Sequence, residues 1–285
     1  MALPHSVPET MGLLLVGKKR AVHLGDFKLG ESVEKAETIT AFQAIAREKV
    51  DLLVVNVVNA HLPGYALPES VVLNSLTDAM IEAEGRVIVT CFSTNIRRIR
   101  GICEIAQAQG RKVCFLGTGM RRAKEELLRG GEIFFEEGEV SDPRSVVFLS
   151  GNQAEENSIL QRALKELEDS PYQPESSDTV IFSSRGIPDN EAIIREEIQD
   201  LVPKVEKIFL NDGEIKNLGL GESPKVREIS AHSSGHEYQE GMGLVLSVVN
   251  PKSVLPIPQS GEGYDAFLKM IEGRALIKKD RIVEL

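Results

Sequence analysis

The chain is short of cysteine, of positive charge and of long apolar runs, and each shortage removes a class of protein. Only three cysteines occur in 285 residues, Cys91, Cys103 and Cys114. They are odd in number, lack CxxC spacing and sit among apolar neighbours, which excludes a thiolate zinc site and suits buried thiols in a reducing compartment. No stretch approaches the roughly 18 apolar residues of a membrane span. Met1-Ala2-Leu3-Pro4-His5 is not a signal peptide, so the expected location is cytoplasmic. Lys and Arg total 33 against 43 Asp and Glu, a net charge of −10 and a pI near 5.2, which argue against a general nucleic-acid coating protein. No DNA specificity is evident. Walker and GxGxxG loops are absent, and without a GxSxG elbow no Ser/His/Asp triad can be read. There is no internal repeat and no low-complexity tail.

The apolar share of 42% and the charged share of 27% are those of a globular protein, enough for one large domain or two ordinary ones. Met11–Val16 and Ala21–Leu24 flank Gly17-Lys18-Lys19-Arg20 and read as a hairpin ending in Gly25-Asp26-Phe27. Glu34–Lys49 has helical periodicity, and Asp51–Val58 is a continuous β-branched strand of the kind found in parallel sheets. A Pro/Gly loop, Asn59–Glu69, marks a boundary. Helix 70–84, strand 86–91, helix 95–109, strand 112–116, helix 120–129, short strand 133–135 and strand 146–150 follow. Helix 155–168, strand 179–183, helix 190–201 and strand 205–211 continue the alternation, which means a doubly wound parallel sheet. Beyond a Gly/Asn/Ser-rich loop come helix 239–249, strand 253–257, helix 263–272 and a last strand 282–284.

Two of the five histidines fall in Ala231-His232-Ser233-Ser234-Gly235-His236, a turn that can aim two imidazoles into a cleft as metal ligands or as proton donor and acceptor. Such a pair is also a common hydrogen-bonded surface feature. Asp26 stands where a strand end presents a carboxylate, and equally where a turn needs one. His5, Asp26, His232 and His236 are the available metal ligands, a thin set beside the three protein ligands of a catalytic zinc. Three strand-to-helix turns have the composition to hold an anion at a helix N-terminus: Phe92-Ser93-Thr94-Asn95, Gly117-Thr118-Gly119 and Ser150-Gly151-Asn152-Gln153. Each also reads as a plain helix cap. Arg97, Arg98, Arg100, Arg111, Lys112, Arg121, Arg122 and Lys124 form a basic cluster, either a solvated face or a phosphate-binding one.

Seven ordered matches resemble the ribonuclease J family of metallo-β-lactamase/β-CASP nucleases. Pro4-His5-Ser6-Val7-Pro8-Glu9 is similar to HSIPDS, and Val22-His23-Leu24-Gly25-Asp26-Phe27-Lys28 to VHTGDFK. Asn59-Ala60-His61-Leu62-Pro63-Gly64-Tyr65 is similar to STNAERPGYT, and Phe92–Ile99 to FASNVHRI. Ser150–Glu155 is similar to TGSQGE, Gly186–Glu191 to PIPGNE, and 231–236 to VHVSGH. The resemblance implies an α/β fold: part of a metallo-β-lactamase αββα sandwich (residues 1–62 and 191–285) with an inserted doubly wound β-CASP domain (63–190).

By the same resemblance His5 and Asp26 are zinc ligands, and His236 is the motif B histidine with His232 beside it. Ser150, Gly151, Asn152 and Gln153 would hold an RNA 5′-phosphate, with Ser93, Asn95, Arg97, Arg98 and Ser234 as further RNA contacts. Departures are specific. Asn56 stands where the family has the motif A aspartate, and Pro258 where it has the PVHGE histidine. The family's HxHxDH lies upstream of the position of His5 and is absent here, as is the C-terminal domain, so the chain is expected to be an N-terminally truncated member.

These departures imply an RNA-binding and RNA-processing protein, catalytically impaired alone, with zinc weak or absent. One alternative is an active zinc-dependent RNA hydrolase when a separate chain supplies the N-terminal half. Another is a structural subunit that heterodimerises with an active relative. A protein partner or homo-oligomer is expected because half a sandwich leaves strand edges and apolar faces open.

Overall fold

In the computed structural model, residues 2, 3, 5, 10–29, 32–129, 135–151, 153, 155–186, 190–271, 275 and 276 are described. In chain order the elements are β1 (Leu13–Val16), β2 (Arg20–His23), α1 (Ser32–Ala46), β3 (Leu52–Asn56), α2 (Glu69–Glu82), β4 (Val87–Thr90), α3 (Ile96–Ala108), β5 (Val113–Phe115) and α4 (Thr118–Arg129). They continue with β6 (Val146–Leu149), α5 (Ile159–Leu164), β7 (Thr179–Phe182), α6 (Glu191–Leu201), β8 (Lys207–Asn211), α7 (Glu214–Asn217) and β9 (Val226–Ile229). Last come α8 (Gln239–Val249), β10 (Ser253–Ile257), α9 (Glu262–Met270) and β11 (Ala275–Leu276). The chain divides into two compact units, one of residues 1–68 and 234–285, the other of residues 69–233.

The first unit is built on a five-stranded sheet ordered β1-β2-β3-β10-β11. The expected hairpin is there: β1 and β2 pair antiparallel, with Leu13 opposite His23, and every other pairing is parallel. β3 is buried at Leu52, Leu53, Val54 and Val55, on both of its faces, as expected for a strand covered on both sides. One face packs Val22, Leu53, Val55 and Val254 with Phe42 of α1 and Val245 of α8.

The second unit is a fully parallel six-stranded sheet, β5-β6-β4-β7-β8-β9. All four residues of each of β4, β6 and β7 are buried. Two buried arginines brace it. Arg86 donates to both oxygens of Asp178 at 2.8 Å and pairs with Glu175 at 3.0 Å, while the Tyr172 hydroxyl donates to Asp178 at 2.9 Å. Arg111 donates to the carbonyls of Met80, Ala83 and Gly85, closing the end of α2; those are carbonyls a helix cannot satisfy internally.

Several sequence expectations change. The helix expected over 155–168 is confined to α5, because Asn157 and Glu166 sit in left-handed backbone (φ +60 and +54). Ser158 caps its start by accepting from Gln161 N. The Gly/Asn/Ser-rich loop contains α7 and β9. β8 and β9 hydrogen-bond in series onto β7, and the second compact unit extends to Ser233. The expected strand at 282–284, and residues 133 and 134 of the one at 133–135, lie outside the described residues. Among the described residues no helix is long and apolar enough to cross a membrane.

Candidate functional site

In the first unit, the carboxyl ends of β2 and β3 bring Asp26 and Asn56 together. Gly25 takes φ +63, a conformation that suits glycine, and its N–H donates to His23 Nδ1 at 3.0 Å. The turn then delivers Asp26 to the neighbouring strand end, where Asn56 Nδ2 donates to Asp26 Oδ1 at 2.7 Å. Asn56 Oδ1 in turn accepts from Val58 N at 3.0 Å. His236 Nε2 lies 3.5 Å from the same Asp26 oxygen. The His5 ring meets the His236 ring edge-on, centroids 6.2 Å apart. His5 lies against Gly235, where a side-chain carbon would come within 2.5 Å of His5 Nε2. Burial, then the neighbouring His236, hold the His5 imidazole below its ordinary range, against the pull of Asp26.

His236 itself is set by its neighbours. Asn59 Nδ2 donates to Ser234 Oγ at 2.8 Å and to the His236 carbonyl at 3.4 Å, and His236 N donates to Ser234 Oγ at 3.1 Å. Ser234, expected as an RNA contact, also braces the histidine loop. The expected set His5, Asp26 and His236 is assembled here, with Asn56 beside it. Pro258 lies just past β10, in the wall of a cavity of about 400 Å³ lined by Leu255, Pro256, Ile257, Gln259 and Ser260. His232 belongs to the other unit, since the chain passes from one to the other between Ser233 and Ser234.

A catalytic zinc takes three protein ligands. Among the described residues no group of three or more His, Cys, Asp or Glu side chains could hold a metal ion. The Asn56 amide directs an N–H at the Asp26 oxygen that a metal would need. The described residues do not by themselves fit the metal centre.

In the second unit the three expected turns adjoin along the carboxyl edge of β5, β6 and β4, the edge where parallel sheets take ligands. A side-chain carbon on Gly119 would lie 3.0 Å from Ser93 Oγ, and one on Gly117, 3.5 Å from Ser150 Oγ. Gly117 and Gly151 have φ +90 and +129. Much of the expected polar equipment is used internally. Asn95 Oδ1 caps α3 by accepting from Arg98 N at 3.2 Å, and Ser150 Oγ accepts from Ile159 N at 3.2 Å. Gln153 Nε2 donates to the Arg185 carbonyl at 2.8 Å, and the Gln153 carbonyl accepts from Asn190 at 2.9 Å. Asn152 lies outside the described residues. His232 tilts against Phe92, ring centroids 6.3 Å apart, and its backbone N–H donates to Asn211 Oδ1 at 2.8 Å.

Arg98 needs the largest correction. Its side chain is fully buried and pairs with Glu69, donating also to Ser183 Oγ at 2.9 Å and the Ala231 carbonyl at 3.0 Å. A guanidinium so enclosed braces three segments and does not face RNA. The basic cluster thins accordingly. Arg111 is buried, while Lys112 and Lys124 pair with Glu136 and Glu137 at 3.2 and 2.5 Å. Arg97 and Arg100 are half-buried, and Arg121 and Arg122 are exposed.

Residues 84–201 match the family model "Ribonuclease J, beta-CASP domain". Ribonuclease J of Sinorhizobium meliloti is 31% identical over 265 residues, 89% of this chain and 44% of that protein. The chain belongs to the ribonuclease J family. Ribonuclease J of Mycoplasma pneumoniae is 28% identical over 268 residues, 89% of this chain, and that of Thermus thermophilus 28% over 267 residues, again 89% of this chain. Each similarity covers 44% of the relative, so the chain spans less than half the length of these ribonuclease J proteins. A crystal structure of a protein of unknown function from Enterococcus faecalis V583 superposes with a TM-score of 0.57 at 15% identity, covering 98% of this chain and 61% of that one, and supports the fold alone. The β-CASP fold expected from the motifs is thereby shown.

Sequence reasoning missed Glu237. It is 2% exposed and takes backbone N–H groups from three segments. Its only sequence signal is its place immediately after His236, and a lone Glu opening a helical pattern reads as an ordinary exposed residue.

Proposed function

We propose that this ribonuclease J family member is a cytoplasmic RNA-binding and RNA-processing protein whose own metal cleft is impaired. The observation that carries the reading is the Asn56 amide on Asp26 Oδ1 at 2.7 Å. A carboxylate at position 56 would add a metal ligand, whereas the amide presents an N–H and cannot help lower the pKa of a metal-bound water. RNA bound by its 5′-phosphate would lie at the adjoining turns around Ser93, Gly119 and Ser150, where helix N-termini favour an anion. In the first unit, His236 beside the impaired Asp26 position does not drive hydrolysis. Zinc content by elemental analysis, alongside turnover of a 5′-monophosphorylated RNA, tests this. Affinity with a steep salt dependence, without turnover or stoichiometric zinc, is expected. Stoichiometric zinc with RNA decay overturns it in favour of an active hydrolase. Zinc uptake and turnover appearing only on mixing with a chain that carries HxHxDH establishes the completed-enzyme alternative.

One observation favours a structural-subunit reading as well. β1 is an edge strand whose Leu13, Leu14, Leu15 and Val16 are 40–66% exposed, as is Met11 at 64%. Gly17 N donates to the Lys19 carbonyl across the turn, so residues 13, 15 and 17 direct their peptide groups at β2. Leu14 and Val16 therefore point theirs outward. Leu3 N donating to the Thr10 carbonyl has already placed a short antiparallel segment on that outer side. An apolar edge with outward peptide groups invites a strand from another chain. Mass measured by light scattering for the natural chain and for Leu14→Lys checks it. A monomer in both cases removes support for self-association.

A further inference from the structure

We infer that Glu237 is a positioning residue that holds the His236 loop in register with the Asp26 loop. The inference deepens the reading of this cleft as a functional site and rests on it. Glu237 is buried, and its carboxylate accepts from Leu29 N at 2.6 Å, Ala66 N at 2.8 Å and Tyr238 N at 2.9 Å. Its own N–H donates to the Phe27 carbonyl at 2.9 Å. One residue thus makes two bonds to the segment that immediately follows Asp26 and a third to the loop that precedes α2. Gly241, one helical turn on, leaves the room the carboxylate occupies, because a side-chain carbon there would overlap Glu237. The chain beyond is secured at Gln239 N to the Leu62 carbonyl, 3.0 Å, and Glu240 N to the Gly64 carbonyl, 3.1 Å.

The chemistry requires a carboxylate. A buried anion accepting several N–H bonds makes each charge-assisted and short. Glutamine offers one acceptor oxygen and an amide donor. With its oxygen kept on Ala66 and Tyr238, its amino group faces Leu29 N–H, donor against donor. The contact that loosens first is the one that carries Asp26, so the 3.5 Å approach of His236 Nε2 to Asp26 Oδ1 is what Glu237 controls. His236 is bounded on its other side by Asn59 and Ser234, which leaves Glu237 to fix the remaining degree of freedom.

The test uses the ¹⁵N-labelled full chain. With only five histidines, long-range imidazole ¹H–¹⁵N spectra resolve each ring, assigned by His236→Asn and His5→Asn. In Glu237→Gln the ring signals of His236 move and those of His61 stay. Exchange of the Leu29 amide quickens by about tenfold or more. Glu237→Asp, which keeps the charge but shortens the reach, gives the same pattern. His236 signals that stay put while the thermal midpoint falls reduce Glu237 to a packing residue and overturn the inference. Signals of all five histidines moving together do the same. Affinity for a 5′-phosphorylated oligonucleotide is measured in parallel: its absence in the natural chain removes the function reading, and the ring spectra still decide the role of Glu237.

Discussion

Glu197 of α6 is a carboxylic acid 4% exposed, facing Gln161 and Lys165 of the α5 end and Glu155 and Asp200. Burial is the main reason its acidity is weakened, from 4.5 to about 7; the charges of Glu155 and Asp200 add, while Gln161 and Lys165 oppose. A carboxyl group with a raised native value binds its proton more tightly folded than unfolded. Its neutral form costs nothing electrostatically below pH 4.5, and stability is lost as pH rises from there through 7. At roughly 1.4 kcal/mol per unit, the loss is on the order of 3 kcal/mol above pH 7. Glu197→Gln keeps the shape and removes the charge. Unfolding of the second unit in urea, followed by amide exchange of β6 and β7, is compared at pH 5 and pH 8. The variant is expected to gain about 1–3 kcal/mol at pH 8, discounted because its amide is still a buried polar group, and little at pH 5. An equal effect at both values, or a variant less stable at pH 8, refutes the reasoning.

Arg98→Ala leaves Glu69 buried without its partner, and a loss of about 3–5 kcal/mol is expected; the salt slope of RNA binding, which an RNA-facing arginine would lower, stays unchanged on the fraction that remains folded. Asn56→Asp sets a second carboxylate beside Asp26, and zinc is expected to raise the thermal midpoint of this variant while leaving the natural chain unmoved. Gly235→Ala puts a carbon 2.5 Å from His5 Nε2, so the His5 ring is displaced at a cost of about 1–3 kcal/mol, visible as a moved His5 imidazole signal and a lower melting point. Burial pushes the thiols of Cys91 and Cys103 up to about 12; neither is expected to react with an aromatic disulfide reagent at pH 8 until urea unfolds the chain.

The strands that run through the centre of each sheet were legible because burial on both faces demands an unbroken apolar run: β3, β4, β6 and β7 announce themselves. β9 did not. It is an edge strand whose Arg227 and Glu228 are exposed, so its composition is that of a loop. α7 spans four residues, too few for a helical period, and the early end of α5 follows from left-handed backbone at Asn157 and Glu166, which periodicity does not register. At the site, the motifs named His5, Asp26, Asn56 and His236, and all four meet in one unit. Arg98 misled because neighbouring helix residues point in different directions, and charge along a sequence carries no information about which side faces inward.

Local chemistry, then, determined the central strands, the family and the residue types: apolar continuity selects parallel strands, and the motif strings select ribonuclease J. Tertiary structure alone decided which polar groups remain for a ligand. The Asn56 amide rests on Asp26, Arg98 is enclosed by Glu69 and Ser183, and Glu237 gathers three backbone N–H groups. A hydrogen bond between residues as far apart as 29 and 237 depends on where two loops arrive, and that is set by the packing of whole strands and helices rather than by either loop's own sequence.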